Sequence, residues 1–496
     1  MDMLKKQRIN DIFTATGQNP ALESSGGLTV TSPSDGAVIA SVTLDTAFSV
    51  ADKIKRTKSA QQRWKDLKRE ARAAWIEKLS AAIKQQRELL AELINLEGGK
   101  TMKESLGEAD GSADILLKTI KDAALAEFNG MLRCKERPPV GIVGLITSFN
   151  FPLVVANWTL APALLAGNGV VWKPSEKTPL VALAFKSVFD QVMGEYKDLL
   201  QVVIGEREIG AALVAHEDVD MISATGSVGM GKGIKSTLAK KKNNHIKPIL
   251  ELGGNNGVII SNKISEKHLE WALQSLLNSF FGTSGQRCTN TRRLIVHKSM
   301  MDKTVTMLRK HIETFAKEKW DEYGYGALID EDAYNRFSSA KKRATEEGGK
   351  ILFGERMLEK EHPQAFYVQP ALALMPGQTK IMFEETFAPL LFIAPYDHFD
   401  DALKMVNAPE NAGLVGGIYT QNQKEADQFA AANQAGHSVI NSAKGTGTPA
   451  FGMGFGGNKD SGTGEILNAA DPLRPFTRED TYHRVAQNKD ITMDHA

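Results

Sequence analysis

Cysteine is nearly absent: the 496 residues carry two, Cys134 and Cys288. That scarcity excludes a disulfide framework and favours a reducing compartment. No run approaches the roughly 18 consecutive apolar residues that a membrane span needs. The opening MDMLKKQRIND is charged and lacks the apolar stretch of a secretory signal, so a cytoplasmic location is expected. Net charge is almost missing too, with 60 Lys and Arg against 59 Asp and Glu, formally +1. The balance points to neither nucleic acid nor a membrane surface as partner. Even the run Lys240-Lys241-Lys242 reads as a solvated helix end. The ten histidines show no metal-ligand spacing such as H-x-x-x-H, so no metal is expected. Repeats and low-complexity linkers are lacking as well. A chain this long exceeds one hydrophobic core, so two or three interleaved domains are expected.

What is present is patterned. In REARAAWIEKLSAAIKQQRELLAELINLEGGK, Ala74, Leu79, Ile83, Leu89, Leu90 and Leu93 recur at helical spacing, with Gly98-Gly99 as a stop. From residue 141 short β-rich runs alternate with helical stretches: GIVGLITSF, GVVWK, LQVVIG, DMISATG and KPILELGG, with PLVALAFKSVFDQVM and GAALVAHE between. Such alternation predicts a parallel sheet with right-handed crossovers, whose strand ends bind nucleotides. KHLEWALQSLLNSFF predicts a second clear helix, ended by Gly282, and RRLIVHK a strand.

Cys288 lies between these two elements in the polar loop FGTSGQRCTNTRR. A structural cysteine usually has apolar neighbours; this one has Arg287 beside it, which would favour the thiolate. An incidental loop cysteine is the alternative. Cys134, in MLRCKERPP, has no such setting and reads as structural. Glu251 closes an apolar run in ILELGGNNG; it is either a desolvated base or a solvated strand end. ATGSVGMGKGI offers a glycine-rich turn for a pyrophosphate, although it does not fit G-x-G-x-x-G. In VVWKPSEKTPL, Lys173 and Glu176 follow a strand, where a carboxylate can bind the ribose hydroxyls of NAD and repel the extra phosphate of NADP. His245 and His297 stand nearest in sequence to Glu251 and Cys288 and read as surface or structural.

The ordered set SFNFP, WKPSEKTPL, TGSVGMG, LELGG, GQRC, EETFAP and FGG, spread from about residue 30 to about 465, resembles the NAD(P)-dependent aldehyde dehydrogenase superfamily. By that resemblance Cys288 is the nucleophile, Asn150 the oxyanion donor and Glu251 the general base. Lys173 and Glu176 meet the adenosine ribose, Gly205 the adenine side, Gly226 and Ser227 the pyrophosphate. Glu385 holds the nicotinamide ribose with Phe387 beside it. Trp158, Arg287 and Phe455 line the substrate side. The cofactor implied is NAD, with NADP as the alternative.

The fold implied is α/β: a Rossmann-like NAD-binding domain (1–120 and 140–253), an α/β catalytic domain (254–465) and a small bridging segment (121–139 and 466–496). A homodimer or homotetramer is implied, with a small-molecule aldehyde as substrate. The wording of ELGGNN with GTSGQRCTNTRR is most similar to the α-aminoadipic semialdehyde branch. A semialdehyde would carry a carboxylate, which Arg287 could face; pairing of Arg287 with a structural acid is the equal alternative. Gly111 and Ser112 in GEADGSAD imply a wide substrate entrance.

Three features depart from the family pattern. The spacing from Glu251 to Cys288, 37 positions, is a few residues longer than is usual in the family, with the extra residues placed in SNKISEKH. NSAKGTGTPAFGM before Phe455 is slightly long, and SGTGEILNAADPL replaces the frequent Gly-Arg-Glu ending. Rival readings are a CoA-acylating enzyme, disfavoured by the presence of Glu251; a silent NAD-binding protein, disfavoured by the intact Cys, Asn and Glu; and a cofactor-free cysteine hydrolase, which lacks a nominated histidine.

Overall fold

Short, β-branched apolar runs without a polar face, such as GIVGLI and GVVWK, suit strands covered on both sides. In the computed structural model, which describes residues 2–16, 27–128, 137–242, 247–317, 325–408, 410–447, 454–464, 467 and 470–478, they are. Ile142–Ile146 and Gly169–Lys173 are buried at every position. They belong to a five-stranded parallel sheet. Ile142–Ile146 is central, with Gly169–Lys173 and Leu200–Val202 on one side and Met221–Thr225 and Ile249–Glu251 on the other. The predicted helix PLVALAFKSVFDQVM is Pro179–Met193, with proline in its first turn. Its first amides at Leu180 and Val181 are capped at 2.8 and 2.7 Å by the carboxylate of Glu97, from the helix Arg87–Gly98. Gly99 ends that helix in the left-handed conformation.

A second sheet of seven strands begins just beyond. Its order is Lys350–Phe353, Ala371–Leu374, Leu390–Tyr396, Thr291–His297, Asn256–Ile260, Val415–Tyr419 and His437–Ile440, and only the first strand is antiparallel. The chain passes from one sheet to the other between Glu251 and Asn256. Helix Glu266–Phe281 covers the second sheet with Leu269, Leu273, Leu276 and Phe280. Each such side chain stabilises by roughly 1.5–3 kcal/mol when fully buried.

The boundary expected at residue 120 lies within one continuous helix, Met102–Phe128. The N-terminal helix Asp2–Ala15 was not foreseen; Ile9, Ile12 and Phe13 are buried by it. Where the two stretches expected to form the bridging unit are described, they meet: Pro139 bridges Thr477, and Arg137 pairs with Asp471 at 3.0 Å. Cys134, His245 and most of the C-terminal stretch lie outside the described residues. Among those described, no helix is long and apolar enough to cross a membrane, and no cluster of three or more His, Cys, Asp or Glu could hold a metal.

Candidate active site

Strand order in the five-stranded sheet reverses beside Ile142–Ile146: the chain first moves outward on one side, then returns as Met221–Thr225 on the other. A crevice opens at the carboxyl ends of the strands at such a reversal. Asn150 follows the first strand, Gly226-Ser227 the fourth, and Glu251 ends the fifth. Ser227 caps helix Val228–Ala239, its Oγ accepting from Met230 N at 3.1 Å. The helix N-terminus, with its partial positive charge, therefore faces the crevice.

Cys288 arrives from the other sheet. Its loop follows a tight turn in which Thr283 and Ser284 both take φ of 52°. Left-handed backbone costs a non-glycine residue roughly 1–2 kcal/mol, so the turn needs outside support. Glu104 supplies it, accepting from Thr283 N at 2.9 Å and Thr283 Oγ1 at 3.0 Å. Ser284 Oγ donates to Gly326 O at 2.6 Å. Asn256 holds the far side, its Nδ2 donating to Cys288 O at 2.7 Å and Asn290 O at 2.8 Å. Arg292, 1% exposed, donates to Gly285 O at 2.6 Å, Arg287 O at 3.1 Å and Ala388 O at 2.7 Å.

The thiol of Cys288 is pushed up to about 12, first by burial and then by the charges of Glu385 and Glu251. The expectation that Arg287 favours the thiolate is therefore corrected. Its guanidinium is committed to Glu104 at 2.6 Å and Thr283 Oγ1 at 2.8 Å, which neutralises it locally. Of the two readings of Arg287, pairing with an acid is the one drawn in the structure.

Glu251 is 4% exposed, and neither carboxylate oxygen meets a donor in good hydrogen-bond geometry, although the Gly457 amide lies near enough to act on it. Burial raises its carboxyl well above the ordinary value, with the Gly457 amide as a weak opposing influence. A desolvated, unpartnered carboxyl is a competent proton acceptor once water enters beside it. The two glycines that follow are required by close approach. A Cβ on Gly253 would lie 2.1 Å from Glu385 Oε2, and one on Gly254 would lie 2.4 Å from Cys288 O. The ELGG turn thus lets the Cys288 loop and Glu385 close on the same spot. Glu385 Oε1 accepts from Gly254 N at 3.0 Å.

Asn150 is buried, with Oδ1 accepting from Ser148 Oγ at 2.7 Å and Nδ2 donating to Gln286 O at 2.8 Å. One N–H of the amide remains for another acceptor. The Trp158 and Phe455 rings meet at a tilt of 55° with centroids 5.3 Å apart, and Trp158 and Cys288 pack on the small cluster of Leu414, Val415 and Phe455. Phe387 contacts Phe149 edge-on at 5.9 Å. Lys173 is buried while Glu176, 3.7 Å away, is partly exposed. Gly205 packs against Ile209, where a Cβ would come within 2.3 Å. Ser112 is buried and donates to Glu108 O at 2.8 Å, while Gly111 beside it is partly exposed.

Sequence reasoning missed Lys100, Glu104, Glu108, Asn256 and Arg292. The spacing of Glu104 and Glu108, four apart on one helix face, was a usable signal, as was the doubled Arg after TNT.

The sequence matches the aldehyde dehydrogenase family over residues 22–481. α-Aminoadipic semialdehyde dehydrogenase of Bos taurus is 28% identical over 469 residues, covering 92% of this chain and 85% of the relative. Lactaldehyde dehydrogenase from Escherichia coli superposes with a TM-score of 0.81 at 28% identity, covering 92% of this chain and 95% of that one. An indole-3-acetaldehyde dehydrogenase complexed with NAD+ gives 0.80 at 26% identity, covering 95% and 98%. The chain therefore belongs to the aldehyde dehydrogenase family.

Proposed function

We propose that this family member oxidises an amino-acid-derived semialdehyde to the carboxylic acid with NAD, through a covalent intermediate on Cys288. The observation that carries the reading is the meeting of Cys288, Asn150 and unpartnered Glu251 in one crevice, beside Glu385.

The residues present suit a dinucleotide. Lys173 and Glu176 would take the adenosine ribose, Gly205 the adenine side, and Gly226 with the capped helix N-terminus at Ser227 the pyrophosphate. Glu385 would take the nicotinamide ribose, with Phe387 beside it. Bound NAD supplies the hydride acceptor. The chain's own groups do the rest. The Cys288 thiol gives up its proton to solvent, Sγ adds to the aldehyde carbon, and the resulting oxyanion is met by the remaining Asn150 N–H and the Cys288 backbone N–H. Loss of hydride leaves a thioester. Glu251 takes a proton from water as its oxygen attacks the acyl carbon, and the C–S bond then breaks with that proton returned to the Cys288 sulfur. Trp158 and Phe455 pack the substrate's apolar part against the sulfur.

Glu176→Gln removes the charge that would repel a ribose phosphate. The NADP/NAD ratio of kcat/KM should rise about tenfold, the ~1.4 kcal/mol reasonable for one partly solvated charge. An unchanged ratio in initial rates would remove Glu176 from that role.

The semialdehyde is supported by motif wording and by the named activity of the Bos taurus relative. Initial rates of NADH formation should give a higher kcat/KM for α-aminoadipic semialdehyde than for an uncharged aldehyde of similar length. Equal values would favour a broad-specificity aliphatic or aromatic aldehyde dehydrogenase. Assembly as a homodimer or homotetramer suits the open edge strand His437–Ile440, where Ile440 and nearby Trp271 are exposed.

A further inference from the structure

Two opposite charges lie buried beside the crevice and take no part in the steps above. Lys100 and Glu108 are each 1% exposed at the side chain and pair at 2.6 Å. Lys100 follows the helix Arg87–Gly98 and Glu108 sits in the helix Met102–Phe128. Taking both ions out of water costs several kcal/mol each, so such a pair is a weak device for stability. Its hydrogen bonds show what it is aimed at. Lys100 Nζ donates to Asn150 O at 3.0 Å and sits 3.8 Å from the centre of the Phe151 ring. Glu108 Oε1 accepts from Leu153 N at 2.9 Å and Val154 N at 3.2 Å. Those amides open helix Val154–Ala166, whose own N-cap residue, Leu153, offers no side-chain cap. The pair therefore grips the loop at the Asn150 carbonyl and three to four residues beyond it, while Ser148 and Gln286 hold the Asn150 side chain itself.

We propose that Lys100 and Glu108 are positioning residues that set the Asn150 amide for the oxyanion. The inference rests on the oxyanion role assigned to Asn150. A carboxamide donor contributes fully only when its N–H meets the developing charge at hydrogen-bond distance, and displacements near 1 Å can cost roughly 100-fold. Backbone anchoring at Asn150 O and at residues 153–154 fixes the loop without using up the amide.

The test replaces the pair by Lys100→Met with Glu108→Gln. The double variant is neutral and close in volume. The carboxamide oxygen introduced by Glu108→Gln would be able to accept from the same two amides, so folding should survive. Glu108→Gln alone is the second variant. The expected result for the double variant is a fall of about 10- to 100-fold in kcat/KM for the aldehyde, with unchanged NAD binding and unchanged iodoacetamide alkylation of Cys288, a reaction that forms no oxyanion. Glu108→Gln alone should show a loss at least as large, because it leaves the Lys100 charge buried without its partner. In an Asn150→Ala background the same substitutions should cost little further, because the group they position is gone. Equal fold losses in both backgrounds, or no loss in the first, would overturn the inference. Full activity in Asn150→Ala alone would overturn the oxyanion assignment, and the inference with it.

Discussion

Cys288→Ala should lower NADH formation by on the order of 10⁴-fold or more, the scale seen when a covalent nucleophile is removed. NAD binding should persist, because every residue assigned to the dinucleotide remains. The loop should also keep its shape, since Glu104, Asn256 and Arg292 hold it through Thr283, the Cys288 carbonyl and Gly285, none of which depends on sulfur. The thiol brings its own pH signature. Burial, Glu385 and Glu251 push it up to about 12, so in the cofactor-free protein the thiolate fraction grows about tenfold per pH unit. Alkylation of Cys288 should climb from pH 7 to pH 10 without a plateau. Glu385→Gln removes one of the negative charges that oppose ionisation, so it should lower the thiol's pKa and speed alkylation at pH 8. A plateau near pH 7 would mean that a neighbouring cation or donor stabilises the thiolate against Glu385 and Glu251.

Glu251→Gln is expected to divide the reaction in two. Addition of the thiol and loss of hydride do not require a base to activate water, so a first burst of NADH should survive. Hydrolysis of the thioester does require it, and a general base is worth roughly 10²–10⁴-fold. Steady-state kcat should therefore fall by about 10²–10³ while the burst amplitude approaches one per active site. The sign of the pH dependence follows from burial. The Glu251 carboxyl is held well above its ordinary value, so it is protonated at low pH and gains basic activity only as pH rises. In the unaltered protein the hydrolytic step should quicken with rising pH, and Glu251→Gln should flatten that limb. Loss of burst and steady state together would place Glu251 in an earlier step.

Much of this arrangement was legible in the sequence, and the reason differs by element. The strands from 142 to 251 were readable because buried parallel strands are continuous apolar runs, and Pro179–Met193 because proline and helical spacing mark it. Cys288 and Glu251 stood out because each breaks the character of its surroundings. The burial of Glu251 was not readable, since a strand-end carboxylate is usually solvated. The misjudged influence of Arg287 has a plain cause: neighbours in sequence suggested a cation acting on the thiol, while Glu104, 183 positions earlier, neutralises that cation. Asn256 and Arg292 were hidden for a related reason. Their partners are backbone carbonyls of distant segments, and no side-chain pattern marks a carbonyl that needs a donor. Helix Asp2–Ala15 was missed because its apolar residues are few among many charges, and only the core it meets gives them meaning.

One measurement bears most directly on covalent oxidation at Cys288. Glu251→Gln would be mixed with NAD and a semialdehyde, quenched in acid within the burst, digested and analysed by mass spectrometry. The expected result is the Cys288 peptide carrying the acyl group of the oxidised substrate, in an amount that matches the NADH released. NADH released with the Cys288 peptide unmodified would contradict it.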